Sequence, residues 1–279
     1  MIERGHHFSA DVIPSGSRIA CGIEYDGSRY NGWQSQSQLS VSTVQQQLEK
    51  ALTSVSAEPI RVHCAGRTDS GVHGHEQIIH FDSPVSRSSK SWVLGTNANL
   101  PYDVRVRWAV AVPHTFHARF SALSRRYRYI IANTPVRPAL LNGKITWQRR
   151  DLDVALMHAE AQALLGEQDF SAFRAASCQS VSPMRNVQNV EVTRRGNCVL
   201  IDIRANAFLH HMVRNIAGSL MAIGTGRKAA GWIAELLKGR DRAVAADTAP
   251  ADGLYLVRVE YPREYNLPHS PLGPLMLIE

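Results

Sequence analysis

Between residues 64 and 73 the chain reads Cys-Ala-Gly-Arg-Thr-Asp-Ser-Gly-Val-His, setting a guanidinium, Arg67, two residues from a carboxylate, Asp69, with Gly66 and Gly71 on either side. In extended backbone, positions two apart face the same way, so Arg67 and Asp69 can share one side of the chain. A guanidinium that near favours the ionised carboxylate, the form that acts as a nucleophile. The two glycines allow a tight reversal with positive φ or a close backbone approach, which suits a loop presenting side chains to a ligand. A surface hairpin with an ordinary, weak ion pair uses the same residue types. Spacing alone leaves both readings open.

A second constellation competes for part of this stretch. His73-x-His75 with His80 and Asp69 has the residue types of a zinc site. Strand parity is unreliable in a glycine-broken loop, however, and the other carboxylates nearby in sequence are Glu76 and Asp82. No metal is therefore expected. Phosphate-loop and dinucleotide-binding glycine patterns are absent, and Gly224-Thr-Gly226 is an isolated helix stop. Cys21, Cys64, Cys178 and Cys198 form no C-x-x-C pair and read as reduced, half-buried residues.

The elements that must position the loop are readable on both sides of it. Ile60-Arg-Val-His63 alternates like a half-buried strand before it, and Gln77-Ile-Ile-His-Phe81 resumes an extended pattern after it. Arg18 to Tyr25 is a strand ending at the Asp26-Gly27 turn. Tyr30 and Trp33 lie in a polar loop, either as a base-stacking surface or packed over a neighbouring element. Ser42 with Gln45 forms a capping box for a helix that buries Val44, Leu48, Ala51, Leu52 and Val55. A short helix near 88–98 and a strand at 104–112 complete a β-α-β-β-α-β order.

The second half repeats that order. Residues 126–131 read as a strand, and 153–165 as a helix with Leu156, Ala159, Ala163 and Leu164 inward. Segments 187–194 and 198–205 form a hairpin around Arg195-Gly-Asn197. Helices near 211–223 and 232–237 and a strand at 254–261 follow. The expected fold is α+β: two ferredoxin-like halves related by a pseudo-two-fold, forming a largely antiparallel sheet with a central cleft. Residues 1–17 are expected as a mobile tail, 18–115 as the first half and 116–279 as the second, ending in a Pro-rich tail.

Three further segments could meet a ligand. Phe116-His-Ala-Arg-Phe120 mixes aromatic and cationic residues in the link between halves. Arg126 and Arg128 alternate with Tyr127 and Tyr129, offering a phosphate-pairing face and an aromatic face, or a solvated face and a core tyrosine pair. His210-His-Met-Val-Arg-Asn215 opens a helix whose first N–H groups and Arg214 attract anions, though it also reads as a simple N-terminal turn.

With 279 residues the chain can bury a sizeable core. A balance of 31 basic against 24 acidic side chains, formally +7, favours an anionic partner such as nucleic acid without identifying it. No apolar run approaches the roughly 20 residues that span a bilayer, and the first 17 residues lack a signal-peptide core. A cytoplasmic location with no membrane association is expected.

The string Ala-Gly-Arg-Thr-Asp-x-Gly-Val-His resembles the catalytic motif of the tRNA pseudouridine synthase A family. So, in the same order, do Ile23-Glu-Tyr-Asp-Gly27, Gly32-Trp-Gln34, Phe116 to Phe120, Arg126 to Tyr129, His210 to Asn215 and Gly253-Leu-Tyr-Leu256. The resemblance implies isomerisation of uridine to pseudouridine at positions 38, 39 and 40 of the tRNA anticodon arm, by a homodimer needing no cofactor. It implies Asp69 as the catalytic carboxylate, Arg67 as a base-flipping residue, Tyr127 as the stacking ring, Arg214 as the partner of Asp69 and Leu254 as a wall of the base pocket. Phe116, His117, Ala118, Arg119 and Phe120 would contact RNA, as would Ser177, Cys178, Gln179, Ser180 and Val181.

Overall fold

In the computed structural model, residues 10–35 and 41–277 are described. The chain divides into two compact units, Met1–Leu123 with Leu256–Glu279, and Ser124–Tyr255. The sequence reading draws its boundary after residue 115 and gives the last 24 residues to the second half. The compact units instead part after Leu123, and the chain from Leu256 onward packs with the first unit.

The first unit carries β1 (Val12–Ile13), β2 (Arg18–Tyr25), α1 (Val44–Ser56), β3 (His63–Cys64), β4 (His73–Asp82), β5 (Arg87–Ser88), α2 (Thr96–Asn99) and β6 (Val104–Val112). The second carries β7 (Ser124–Asn133), β8 (Thr146–Gln148), α3 (Val154–Ala161), β9 (Gly166–Asp169), β10 (Met184–Arg195), β11 (Cys198–Ala205), α4 (Met212–Gly224) and α5 (Trp232–Gly239). The last strand, β12 (Leu254–Glu260), starts in the second unit and ends in the first. Pairing is mostly antiparallel. β2 lies between β6 and β4, with β3 on β4. In the second unit β11 lies between β7 and β10, β9 extends from β10, and β8 pairs parallel with β7.

Several expectations are corrected in detail. The tail through Ser17 is not wholly free: Val12 and Ile13 pair with Ser88 and Arg87, and residues 1–9 lie outside the described set. The segment before the motif loop is strand only at His63–Cys64, although Ile60 and Val62 are buried and Arg61 and His63 exposed, as alternation requires. The helix near 88–98 is present as expected, running unbroken from Ser89 to Asn99, with a wider π-helical turn at Ser91–Gly95 before the four-residue α2.

The capping box of α1 sits one residue later than expected. Thr43 Oγ1 accepts the Gln46 N–H while Gln46 Oε1 accepts the Thr43 N–H. Two overlapping Ser/Thr-x-x-Gln pairs occur here, and the competing Gln45 is taken up elsewhere: its Oε1 accepts the Ser35 N–H and its amide donates to Glu49. In α3, capped by Asp153, the buried residues are Met157 and Ala161, followed by Leu164 in the next turn. Ala159 is exposed, and Leu156 and Ala163 are only half-buried. The rotation follows from Gly224 of α4, where a Cβ would stand 2.5 Å from the Met157 sulfur. The absent side chain makes room for Met157 and sets which face turns inward.

Residues after β12 fold back on β4. His75 Nε2 lies 3.2 Å from the Pro271 carbonyl, and Arg258 donates to the Ser270 carbonyl. Beneath them is Glu76, 2% exposed, with its Oε2 3.5 Å from Arg258 Nε. Burial pushes the Glu76 carboxyl up to about 7, against the pull of Arg258 and His75. Since its folded value exceeds its ordinary one, the stability tied to this group is present at acid pH and is lost as pH rises through about 7. Glu76→Gln should therefore flatten the fall in melting temperature between about pH 5 and pH 7. An unchanged slope in that variant would show that Glu76 does not titrate in this window.

Candidate active site

The motif loop is shaped by what its backbone is tied to. Ala65 N–H donates to the Ile78 carbonyl at its start, and the Gln77 amide both donates to Gly66 O and accepts from Gly66 N–H. Thr68, between Arg67 and Asp69, turns inward and shares a 2.7 Å hydrogen bond with the buried Tyr25 hydroxyl. Arg67 is exposed and Asp69 half-buried, so the alternation expected of this stretch puts both away from the Thr68 side. Of the two bracketing glycines, Gly71 takes φ +80°, while Gly66 serves through its peptide groups.

The neighbouring loop holds the motif in place. Trp33 N–H donates to Thr68 O, while Ser70 Oγ and Gly71 N–H both donate to Tyr30 O. Tyr30 is 6% and Trp33 1% exposed, which answers the open question about these rings: they pack as a footing under the motif loop and offer no stacking surface. The Tyr30 hydroxyl donates to Asp103, and burial with that carboxylate raises its pKa. At Gly32, φ is +82° and a Cβ would lie 2.7 Å from Thr68 O, so only glycine permits this approach.

Histidines 73, 75 and 80 have separate duties. His73 Nδ1 accepts the Gly27 N–H. His75 Nδ1 lies 3.4 Å from Glu24, and His80 Nδ1 accepts the Ala118 N–H. A bulge in β4, where Gln77 stands opposite Ile23 but Gly74 opposite Tyr25, breaks the strand parity between these histidines. The correction to the loop reading is that His73 already belongs to β4.

The segment Phe116–Phe120 belongs to the first unit. Phe116 and Ala118 are fully buried, His117 is half-buried, and Arg119 and Phe120 are exposed. Phe116 meets the rings of Tyr261 and Tyr265 at 5.1 and 5.0 Å. Arg119 lies over Phe120, 5.5 Å from its centroid. Burial pushes the Cys64 thiol up to about 12, while Arg67 and Arg119 both act to lower it. The two guanidiniums therefore act on the same thiol.

In the second unit, Tyr127 on β7 is 8% exposed, with Phe208 edge-on at 5.0 Å. Arg126 and Arg128 flank it, and both pair with Asp202 on β11, through Oδ1 at 2.5 Å and Oδ2 at 2.7 Å. Tyr129, fully buried, bonds to Thr146 and to the Pro250 carbonyl. Arg214, in the first turn of α4, donates from Nε to Ala249 O, and Asn215 receives Thr248 and Arg242. His210 and His211 are half-buried, His211 with φ +61°. Leu254, 5% exposed, begins β12.

The loop at 177–181 is organised around Arg174, which donates to the carbonyls of Cys178 and Ser180. Ser177 Oγ meets His210 Nδ1 at 3.0 Å, and His210 N–H points at Cys178 Sγ. Gln179 and Val181 are exposed, Val181 completely. Backbone N–H groups of His210 and Ser180 act to lower the Cys178 thiol against its burial, and its net shift is downward.

The sequence reading missed the polar support inside β4. His73, His75, Glu76, Gln77 and His80 are all at most 2% exposed. Their signal was hydrogen-bonding side chains at both odd and even positions of one strand, whereas a half-buried strand keeps one of the two sets apolar.

The family profile of tRNA pseudouridine synthase matches residues 22–121 and 161–262. A tRNA pseudouridine synthase A of Escherichia coli O1:K1 is 58% identical over 262 residues, covering 94% of this chain and 96% of that protein. The same-named protein of Escherichia fergusonii is 57% identical over the same span. With this motif loop and this extent of match, the chain belongs to the tRNA pseudouridine synthase family.

Proposed function

We propose that the chain isomerises uridine to pseudouridine at positions 38, 39 and 40 of the tRNA anticodon arm. The observation that carries this reading is a half-buried Asp69 on a loop fixed at Thr68, Ser70 and Gly71, in a chain 58% identical to a tRNA pseudouridine synthase A. The glycosidic C–N bond breaks, the uracil turns, and a C–C bond forms to the same ribose, so no external reagent is consumed.

A uridine in a helix must leave the stack before a carboxylate reaches it, at a cost of a few kcal/mol. In this reading Asp69 is the carboxylate that acts as nucleophile or steadies an oxocarbenium-like sugar. The exposed Arg67 enters the vacated stack, Tyr127 stacks on the base, Arg214 supplies a second cation and Leu254 an apolar wall. The turn at 116–120 and the loop at 177–181 meet the RNA.

The finer fold reading belongs to the same proposal. The neighbour order β6-β2-β4-β3 in the first unit and β7-β11-β10 in the second supports two ferredoxin-like halves. We also place the protein in the cytoplasm as a homodimer; among the described residues no helix is long and apolar enough to cross a membrane.

Tritium release from tRNA labelled at uridine C5 tests the reaction. Release should persist in EDTA, and tRNA affinity should fall linearly on a log-log plot against salt as counterions are displaced. No release would leave at most a binding module. Release abolished by EDTA, or a flat salt plot, would count against this reading.

A further inference from the structure

The turn at 116–120 has almost no regular structure to hold it. Its N–H groups are satisfied mainly within the turn: His117 N–H donates to Ser121 Oγ, and Arg119 and Phe120 N–H both donate to His117 Nδ1. Phe116 N–H donates to the Pro113 carbonyl just before the turn, and Ala118 alone of these reaches another strand. It is fully buried, its N–H donates to His80 Nδ1 on β4 at 3.1 Å, and its carbonyl accepts from the Tyr261 hydroxyl at 2.6 Å. A buried N–H without an acceptor would be expensive, so this bond is needed and not ornamental.

We propose that His80 is a positioning residue of the pseudouridine synthase reaction: through Ala118 it locks the turn presenting Arg119 and Phe120 to the strand that follows the Asp69 loop. The inference rests on the reading of 116–120 as a tRNA contact. The His80 ring is 2% exposed and sandwiched, stacked on His63 at 5.0 Å and met by His117 at 4.6 Å and Phe116 at 6.0 Å. Only an unprotonated Nδ1 can accept from Ala118. Burial, then His117, Arg18 and His63, hold the imidazole down to about 3 against the opposing Asp82, so the acceptor persists at neutral pH. Arg18 adds a second anchor by donating to the Phe116 carbonyl.

The test compares His80→Phe, which keeps a flat ring without an acceptor, with His80→Asn, whose side-chain oxygen can accept in place of Nδ1. Tritium release from full-length tRNA should show KM raised about tenfold in H80F with kcat within about twofold, the size of one lost hydrogen bond. H80N should stay within about threefold of the parent. Tyr261→Phe, which releases the other side of Ala118, should show the same split at smaller size and serves if H80F does not fold. Equal damage in H80F and H80N, or a fall in kcat at unchanged KM, overturns the proposal. Arg119→Ala separates the two levels: if it raises KM while H80F and Y261F do not, His80 has no positioning role and the contact reading survives. If Arg119→Ala leaves KM unchanged, the contact reading falls and the proposal with it.

Discussion

Asp69→Asn should leave pseudouridine formation at least about ten-thousand-fold slower while tRNA still binds within about threefold. The two side chains are nearly the same size, and the loop is fixed by groups that the change does not touch. Those are the Thr68 hydroxyl on Tyr25, the Thr68 carbonyl on Trp33 and the Ser70 and Gly71 bonds to Tyr30. The Asp69 carbonyl also keeps the Val72 N–H. What is lost is the negative charge, and a neutral amide can neither attack a sugar or base nor steady a cationic intermediate. Rate under single-turnover conditions and affinity by filter binding check the two halves. A variant retaining a tenth of the parent rate would remove Asp69 from the chemistry.

Gly32→Ala is the second large effect, and it acts from the supporting loop. A Cβ there would stand 2.7 Å from Thr68 O, 3.1 Å from the Asp69 carbonyl carbon and 3.2 Å from Ser70 N. All three are backbone atoms, so no side chain can rotate away. Relief requires the Asp69 loop itself to move, and a displacement on the order of 1 Å at a reacting group costs roughly a hundredfold in rate. The positive φ adds about 1 kcal/mol of strain. Gly16→Ala is the control: its φ is +83°, yet nothing lies within 4 Å of the added methyl. Both variants should lose some stability in urea unfolding, but only Gly32→Ala should lose kcat. Parental kcat in Gly32→Ala would mean that the loop contact does not govern Asp69.

What could be read in the sequence was local. Runs of strand-forming residues closed by turn signals marked β2 and β6 to the residue and the hairpin at Gly196, and helical spacing marked the apolar positions of α4, although β2 and α4 are buried on nearly every side. The motif loop stood out by two charges and two glycines at short spacing, but that spacing left an ordinary ion pair open, and the catalytic reading came from the resemblance of the whole string to a known family. Partner-dependent features were not legible. The inward face of α3 depends on Gly224, more than sixty residues away. Tyr30 and Trp33 sit in a polar loop, yet the fold buries them in the core of the first unit, with the motif loop bonded to their backbone. His80 looked like a metal-ligand candidate, and only the fold brings Ala118 to its nitrogen.

The most direct measurement is to incubate an unmodified tRNA transcript carrying uridine at positions 38, 39 and 40 with the purified protein, then locate pseudouridine by reverse-transcription stops after carbodiimide treatment. New stops confined to that arm, and absent when the Asp69→Asn variant replaces the parent, are the predicted result. A transcript left unmodified, or modified elsewhere with that arm untouched, would contradict it.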